Sequence, residues 1–181
     1  MNLEPELIPE PLWGISAARL LGRKSKAWRE IRSGPLAAGG GACAACGETP
    51  PGGKFMVCDE LWSYDEQQET ATLASVRILC PACDHARHFA RAGQLGAGAD
   101  ALRALARVNG ISEEKARAMQ AETLKIWRKR SRLAWTVRVD QTLLDGYPAL
   151  AVLSGQRGVP GQGRDKVNLA DRQAARVRLR S

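Results

Sequence analysis

Four of the five cysteines stand as two C-x-x-C pairs, Cys43-Ala-Ala-Cys46 and Cys80-Pro-Ala-Cys83. Each pair can turn two thiolates toward one point, and two pairs complete a tetrahedral sulfur shell. The chain must therefore fold so that its residues near 43 meet those near 83. The intervening segment exceeds the roughly 15–20 residues of many compact zinc motifs and is long enough to hold a hairpin. Four thiolates leave no open position for water, so the expected Zn2+ is structural rather than catalytic. Gly47 relaxes the backbone after Cys46 and lets amide groups approach the sulfurs. Cys58 is left over, in an apolar setting that suits a buried thiol. The same four cysteines, reduced or redox-active and without metal, form the alternative reading.

The compartment bears on that choice. The amino end, MNLEPELIPEP, is acidic and proline-rich and lacks the basic start and apolar run of a secretory signal. No stretch approaches the roughly 20 apolar residues that cross a bilayer. A soluble, cytoplasmic protein with no membrane partner is expected, and in that reducing setting closely spaced cysteines are metal ligands rather than disulfides. With 181 residues, 44% of them apolar, the chain suits one domain with decorated ends. Its formal net charge of +8 favours polyanionic partners, nucleic acid first.

Local pattern divides the chain into an amino-terminal arm over 1–24, a main domain over 25–150 and a basic flexible tail over 151–181. Pro5, Pro9 and Pro11 keep the arm extended, while Trp13 and Ile15 can pin it. Ser25 caps a helix that Gly34-Pro35 ends. Strands are expected at 54–58 and 72–79, separated by a polar stretch around Tyr64 to Glu69. A helix opens after Cys83. Another spans Ala99 to Val108 and stops at Asn109-Gly110. Ser112 with Glu113 and Glu114 begins a third, running to about Arg132 with Ala116, Met119, Thr123 and Trp127 on its inner stripe. The segment WTVRVD alternates as a half-buried strand does. Residues from Ser154 have the composition of a linker. This order of strands and helices is of the α+β class.

The stretches CAACG at 43–47, DELWSYD at 59–65 and LCPACDHARHFARA at 79–92 resemble the zinc-containing HNH endonucleases. The similarity extends over PLWGISAARLL, LARVNGISEEKA, KIWRKRSRLAW and VDQTLL, about residues 11 to 145. The resemblance implies a ββα-metal finger of treble-clef type embedded in flanking helices. It also implies a divalent cation, Mg2+ or Mn2+, clasped against a scissile phosphate, with a histidine at the end of the first strand activating water. By this correspondence Asp59 occupies the general-base position, Asp84 the position after the last cysteine, and His88 that of the helical metal ligand. These three form the candidate catalytic and second metal site.

Two of the three depart from the family's pattern. An unperturbed aspartate titrates about 2.6 units below histidine, so Asp59 is a weak base. Asp59 and Asp84 are nonetheless good hard ligands for magnesium. The leading expectation is an HNH-like, zinc-stabilised nucleic-acid-binding protein in which phosphodiester cleavage is impaired. The alternatives are an active nuclease with an altered carboxylate site, or a non-catalytic adaptor subunit of a protein complex. For nucleic acid, DNA ahead of RNA, the candidate contacts are Arg87 and Arg91 beside the metal site, and Arg128, Lys129 and Arg130 in the densest basic run. Trp62, Tyr64, Trp127 and Trp135 read as packing residues. The tail arginines suit nonspecific phosphate attraction.

Overall fold

A computed structural model describes residues 3–50 and 56–162 of the chain. Strand β1 spans Val57–Asp65 and β2 spans Thr70–Leu79. The sequence expectation placed the first strand at 54–58 and treated Tyr64 onward as a polar break. The strand continues because Asp59, which local propensity disfavours, is buried among cationic partners, so tertiary context overrides the residue's preference. The reversal is confined to Glu66–Glu69, where Asp65 Oδ1 accepts from the amides of Gln67 and Gln68 at 3.0 and 2.9 Å. Glu69 completes the turn at a φ of 50°.

The helices follow their local signals more closely. Helix α1 is Ala17–Leu20 and α2 is Lys26–Ala38, with Ser25 Oγ accepting from the amide of Trp28 at 3.0 Å. Helix α2 continues through Gly34-Pro35, where the sequence reading ended it. An interior proline costs about 3 kcal/mol locally, but burial of Ile31 and packing of Leu36 on the core offset it. After Cys80 come α3, Pro81–Arg87, and α4, Phe89–Gln94; one helix was expected here, and it is broken at His88 (φ −100°, ψ 50°). Helix α5, Gly98–Asn109, ends on Gly110 at a left-handed φ of 63°, as its stop signal predicts. Helix α6, Glu113–Arg130, starts with Ser112 Oγ accepting from the amide of Lys115 and buries Ala116. Strand β3, Trp135–Val139, helix α7, Gln141–Gly146, a 3-10 turn at Pro148–Leu153 and the short β4, Arg157–Gly158, complete the order.

The strand order is β1-β2-β3-β4. β3 runs parallel to β2, Thr70 opposite Thr136 and Leu73 opposite Val139, and β4 is antiparallel to β3. The chain forms two compact units. The first takes, among the described residues, 3–7, 29–50, 56–61 and 75–127, and its core joins the cysteines to Leu79, Ala86, Leu102 and Leu105. The second takes 8–28, 62–74 and 128–162 and is built around Trp135, with Leu12, Leu73, Val137, Leu150 and Leu153 buried. Tyr64 meets Trp135 edge-on, with ring centroids 5.4 Å apart.

Both ends of the expected domain are more structured than their composition suggests. Within 1–24, Leu3 is 1% exposed, and Asn109 clamps its backbone through two side-chain bonds of 2.8 Å. Within 151–162, Gly158 pairs with β3 and lies so near Pro11 that a Cβ would stand 2.5 Å from the Pro11 carbonyl oxygen. This stretch reads as linker because β3, the pairing partner that orders it, lies outside the local pattern, with Trp135 opposite Gly158. The tail beyond 162, with Arg172, Arg176, Arg178 and Arg180, lies outside the described residues.

Candidate metal centre and the adjoining charged site

The first cysteine pair sits on a tight knuckle. The Gly47 amide donates to Cys43 O at 2.9 Å and the Cys43 amide to Glu48 O at 2.9 Å. Gly47 adopts a φ of 77°, open to glycine without strain. The Ala44 amide donates to Ile78 O at 2.9 Å, tying the knuckle to the end of β2. Two residues on, Cys80 stands just before α3 and Cys83 lies in its first turn, with Pro81 at a position where its missing N–H costs nothing. All four sulfurs lie within 4.8 Å of one another.

The donor set fits zinc. A regular tetrahedron with metal–sulfur bonds of about 2.3 Å has sulfur–sulfur edges of about 3.8 Å, and Cys46 Sγ stands 3.8 Å from Cys80 Sγ. Cys43, Cys80 and Cys83 are buried, which keeps water from completing the shell. Burial pushes the Cys43 thiol up, but amides of Cys46, Cys80 and Ala45 outweigh it and bring it to about 7. Burial raises Cys46 to about 11 and Cys83 higher still. Four thiolates packed this closely would repel one another, and a divalent cation among them would supply the compensating charge. Cys58 stands apart, its thiol pushed up to about 12 by burial and by the neighbouring Glu60 and Asp59.

The three motif positions beside this centre do come together. Asp59 Oδ1 lies 3.0 Å from His88 Nε2, and Asp84 Oδ1 lies 3.9 Å from the same nitrogen. The break after α3 falls at His88. His85, one position into the helix from Asp84, takes no part in these contacts.

Cations already surround Asp59. Arg77 Nε donates to Asp59 Oδ2 at 2.9 Å, and Arg87 Nε stands 3.0 Å from the same oxygen. The Arg87 N–H is not aligned for a hydrogen bond, so that contact is ionic. Arg87 reaches the amino-terminal segment as well, donating to Glu4 O at 3.3 Å and pairing with Glu6. Burial raises the Asp59 carboxyl, but the His88 hydrogen bond, the Arg87 charge and the Arg77 bond outweigh it and hold it below the usual value of 3.8. Glu6 is shifted the other way, burial exceeding the pull of Arg87.

This arrangement corrects the expected role of Arg87. It is 5% exposed and engaged on two sides, so it is unavailable to a nucleic-acid backbone. Arg91, one turn further along, is 67% exposed and lies 3.9 Å from Asp84. In the second unit, Arg128 is exposed, whereas Lys129 and Arg130 both pair with Glu66, and Arg130 also lies 4.4 Å above the Tyr64 ring. Glu66 is thereby held below its usual range by Lys129 and Arg130.

Sequence reasoning missed Arg77, Glu6 and Glu66. A lone arginine inside the apolar run VRIL was a usable signal, because a charge in a buried strand requires a partner. Glu6 and Glu66 carry no such local mark. No family model, curated protein or solved structure matches the chain. The four-cysteine centre and the mixed α and β architecture are what the molecule establishes. Among the described residues no helix is long and apolar enough to cross a membrane.

Proposed function

We propose that the chain is a zinc-stabilised nucleic-acid-binding protein of the HNH endonuclease type in which phosphodiester cleavage is impaired. The order of elements supports the finger: a cysteine knuckle, two strands, then a helix that opens with the second cysteine pair. The convergence of Asp59, Asp84 and His88 beside that centre supports kinship with a ββα-metal site.

One observation carries the impairment. The side chain at the general-base position is 1% exposed, and both its oxygens are taken by His88, Arg77 and Arg87. A general base must reach the water it activates, with a pKa near the working pH. Asp59 meets neither requirement. The net charge of +8 and the exposed Arg91 and Arg128 support the binding half of the reading.

A plasmid-nicking assay with Mg2+ or Mn2+ tests the first half. The expected result is no cleavage above background. Robust metal-dependent cleavage that disappears in Asp59→Ala would favour an active site of altered carboxylates. Gel shifts on DNA and RNA over a range of salt test the second half. Binding that weakens steeply with salt is expected; a chain that binds neither polymer is instead a protein-directed adaptor.

A further inference from the structure

The charges around Asp59 are already balanced. Three carboxylates, Asp59, Glu6 and Asp84, face three guanidinium groups, Arg77, Arg87 and Arg91, with His88 between Asp59 and Asp84. The network spans the amino-terminal segment, the hairpin, α3 and α4. The Glu6 amide also donates to Arg87 O at 2.8 Å, fastening the segment that brings the second carboxylate.

A divalent cation has no place in this arrangement. Mg2+ requires near-octahedral oxygen at about 2.0–2.1 Å and keeps several of its waters. Asp59 has a side chain 1% exposed and no oxygen free of an existing partner. Adding two positive charges to a buried, balanced cluster would leave them uncompensated. Among the described residues, the four cysteines form the only group of three or more side chains positioned to hold a metal. Arginine is also a permanent cation, never discharged in the working range of a protein, and its fork of donors suits carboxylates.

We infer that Arg87, assisted by Arg77, is an internal counter-ion standing where a divalent cation would otherwise neutralise Asp59, so that this site is metal-free and holds the amino-terminal segment to α3. The inference draws on the HNH-like reading only for the expectation that a cation belongs beside Asp59. Its test measures metal binding and stability, so it can fail while nucleic-acid binding stands, or hold while that binding is absent.

The zinc-loaded full chain is titrated with Mn2+. Electron paramagnetic resonance counts the free ion, and NMR follows the imidazole signals of the two histidines. The expected outcome is no Mn2+ retained at this site and no selective broadening of His88. Mn2+ bound equally by the wild type and by Asp59→Asn, with His88 unbroadened, also agrees, since the ion then sits elsewhere. One Mn2+ per chain that broadens His88 and is lost in Asp59→Asn overturns the inference.

Thermal unfolding of Asp59→Asn, Arg87→Met and the double variant supplies the second arm. Each single change is expected to lower Tm, and the double variant to lose less than the two losses combined. Strict additivity would refute the counter-ion role. Should Arg87→Met fail to fold, Arg77→Met, whose side chain is 21% exposed, replaces it in the cycle.

Discussion

Removing the metal should dismantle the first unit, and the size of the effect can be set from its geometry. Cys43, Cys80 and Cys83 are 2%, 5% and 0% exposed and belong to the same apolar cluster as Leu79, Ala86 and Leu105. A structural zinc contributes about 10–16 kcal/mol in small zinc-dependent folds, whereas a whole domain is stable by about 5–15 kcal/mol. The metal term is thus comparable with the total. Without it, Cys43 and Cys46 are held to Cys80 and Cys83 by weak thiol contacts, a few backbone bonds and the packing of that apolar cluster. A strong chelator, or Cys83→Ser, should therefore lower Tm by tens of degrees or abolish cooperative melting. The assay is circular dichroism melting with zinc analysis, followed by hydrogen exchange at two reporter amides. Those are Ala44, which donates to Ile78 O at 2.9 Å, and Asp84, which donates to Cys80 O at 2.9 Å. Both should lose protection on chelation. A metal-stripped chain that keeps its Tm and its Ala44 protection would refute the reasoning, since the knuckle would then be holding itself.

Three further outcomes are expected. Because the Asp59 carboxyl is depressed below 3.8, its contribution is fully present above that pH and is lost as pH falls through the still lower folded value. Glu6, shifted upward from 4.5, acts in the opposite sense, its contribution fading as pH rises through its folded value. Denaturant unfolding between pH 2 and 7 should accordingly show a steep acid-side loss that is shallower in Asp59→Asn; identical slopes would contradict the assignment. Gly158→Ala forces a Cβ to 2.5 Å from a backbone oxygen of Pro11 and should cost about 1–3 kcal/mol by overpacking, measured as a shift in denaturation midpoint. Glu66→Gln should release Lys129 and Arg130, tightening binding to DNA and steepening the salt dependence by about one unit; unchanged gel shifts would remove that helix end from the contact surface.

The elements most legible in the residue order were those whose signals are local. Ser25 and Ser112 cap the helices they were expected to cap, Gly110 ends α5, and WTVRVD alternates into a half-buried strand. The misreadings share one cause. Pro35 reads as a helix stop, Cys58 as the end of the first strand and SGQRGVPG as a linker, because each depends on a partner outside the local pattern. Ile31 and Leu36 bury α2 past its proline, Arg77 and Arg87 make Asp59 tolerable in β1, and β3 recruits Arg157–Gly158.

Cysteine spacing alone was enough to specify a four-sulfur centre, because two C-x-x-C pairs have few other ways to satisfy their thiolates in one fold. The resemblance to HNH endonucleases set Asp59 at the expected base position, and the side chain's own chemistry makes it a poor base there. What only the folded chain decided is where the charges meet. Arg87 reads as a surface contact from its place beside Arg91, yet a glutamate from the amino-terminal segment and an aspartate from β1 close around it. Charge pairing in this buried site joins residues 18 to 81 positions apart, and no local pattern encodes the distances between them.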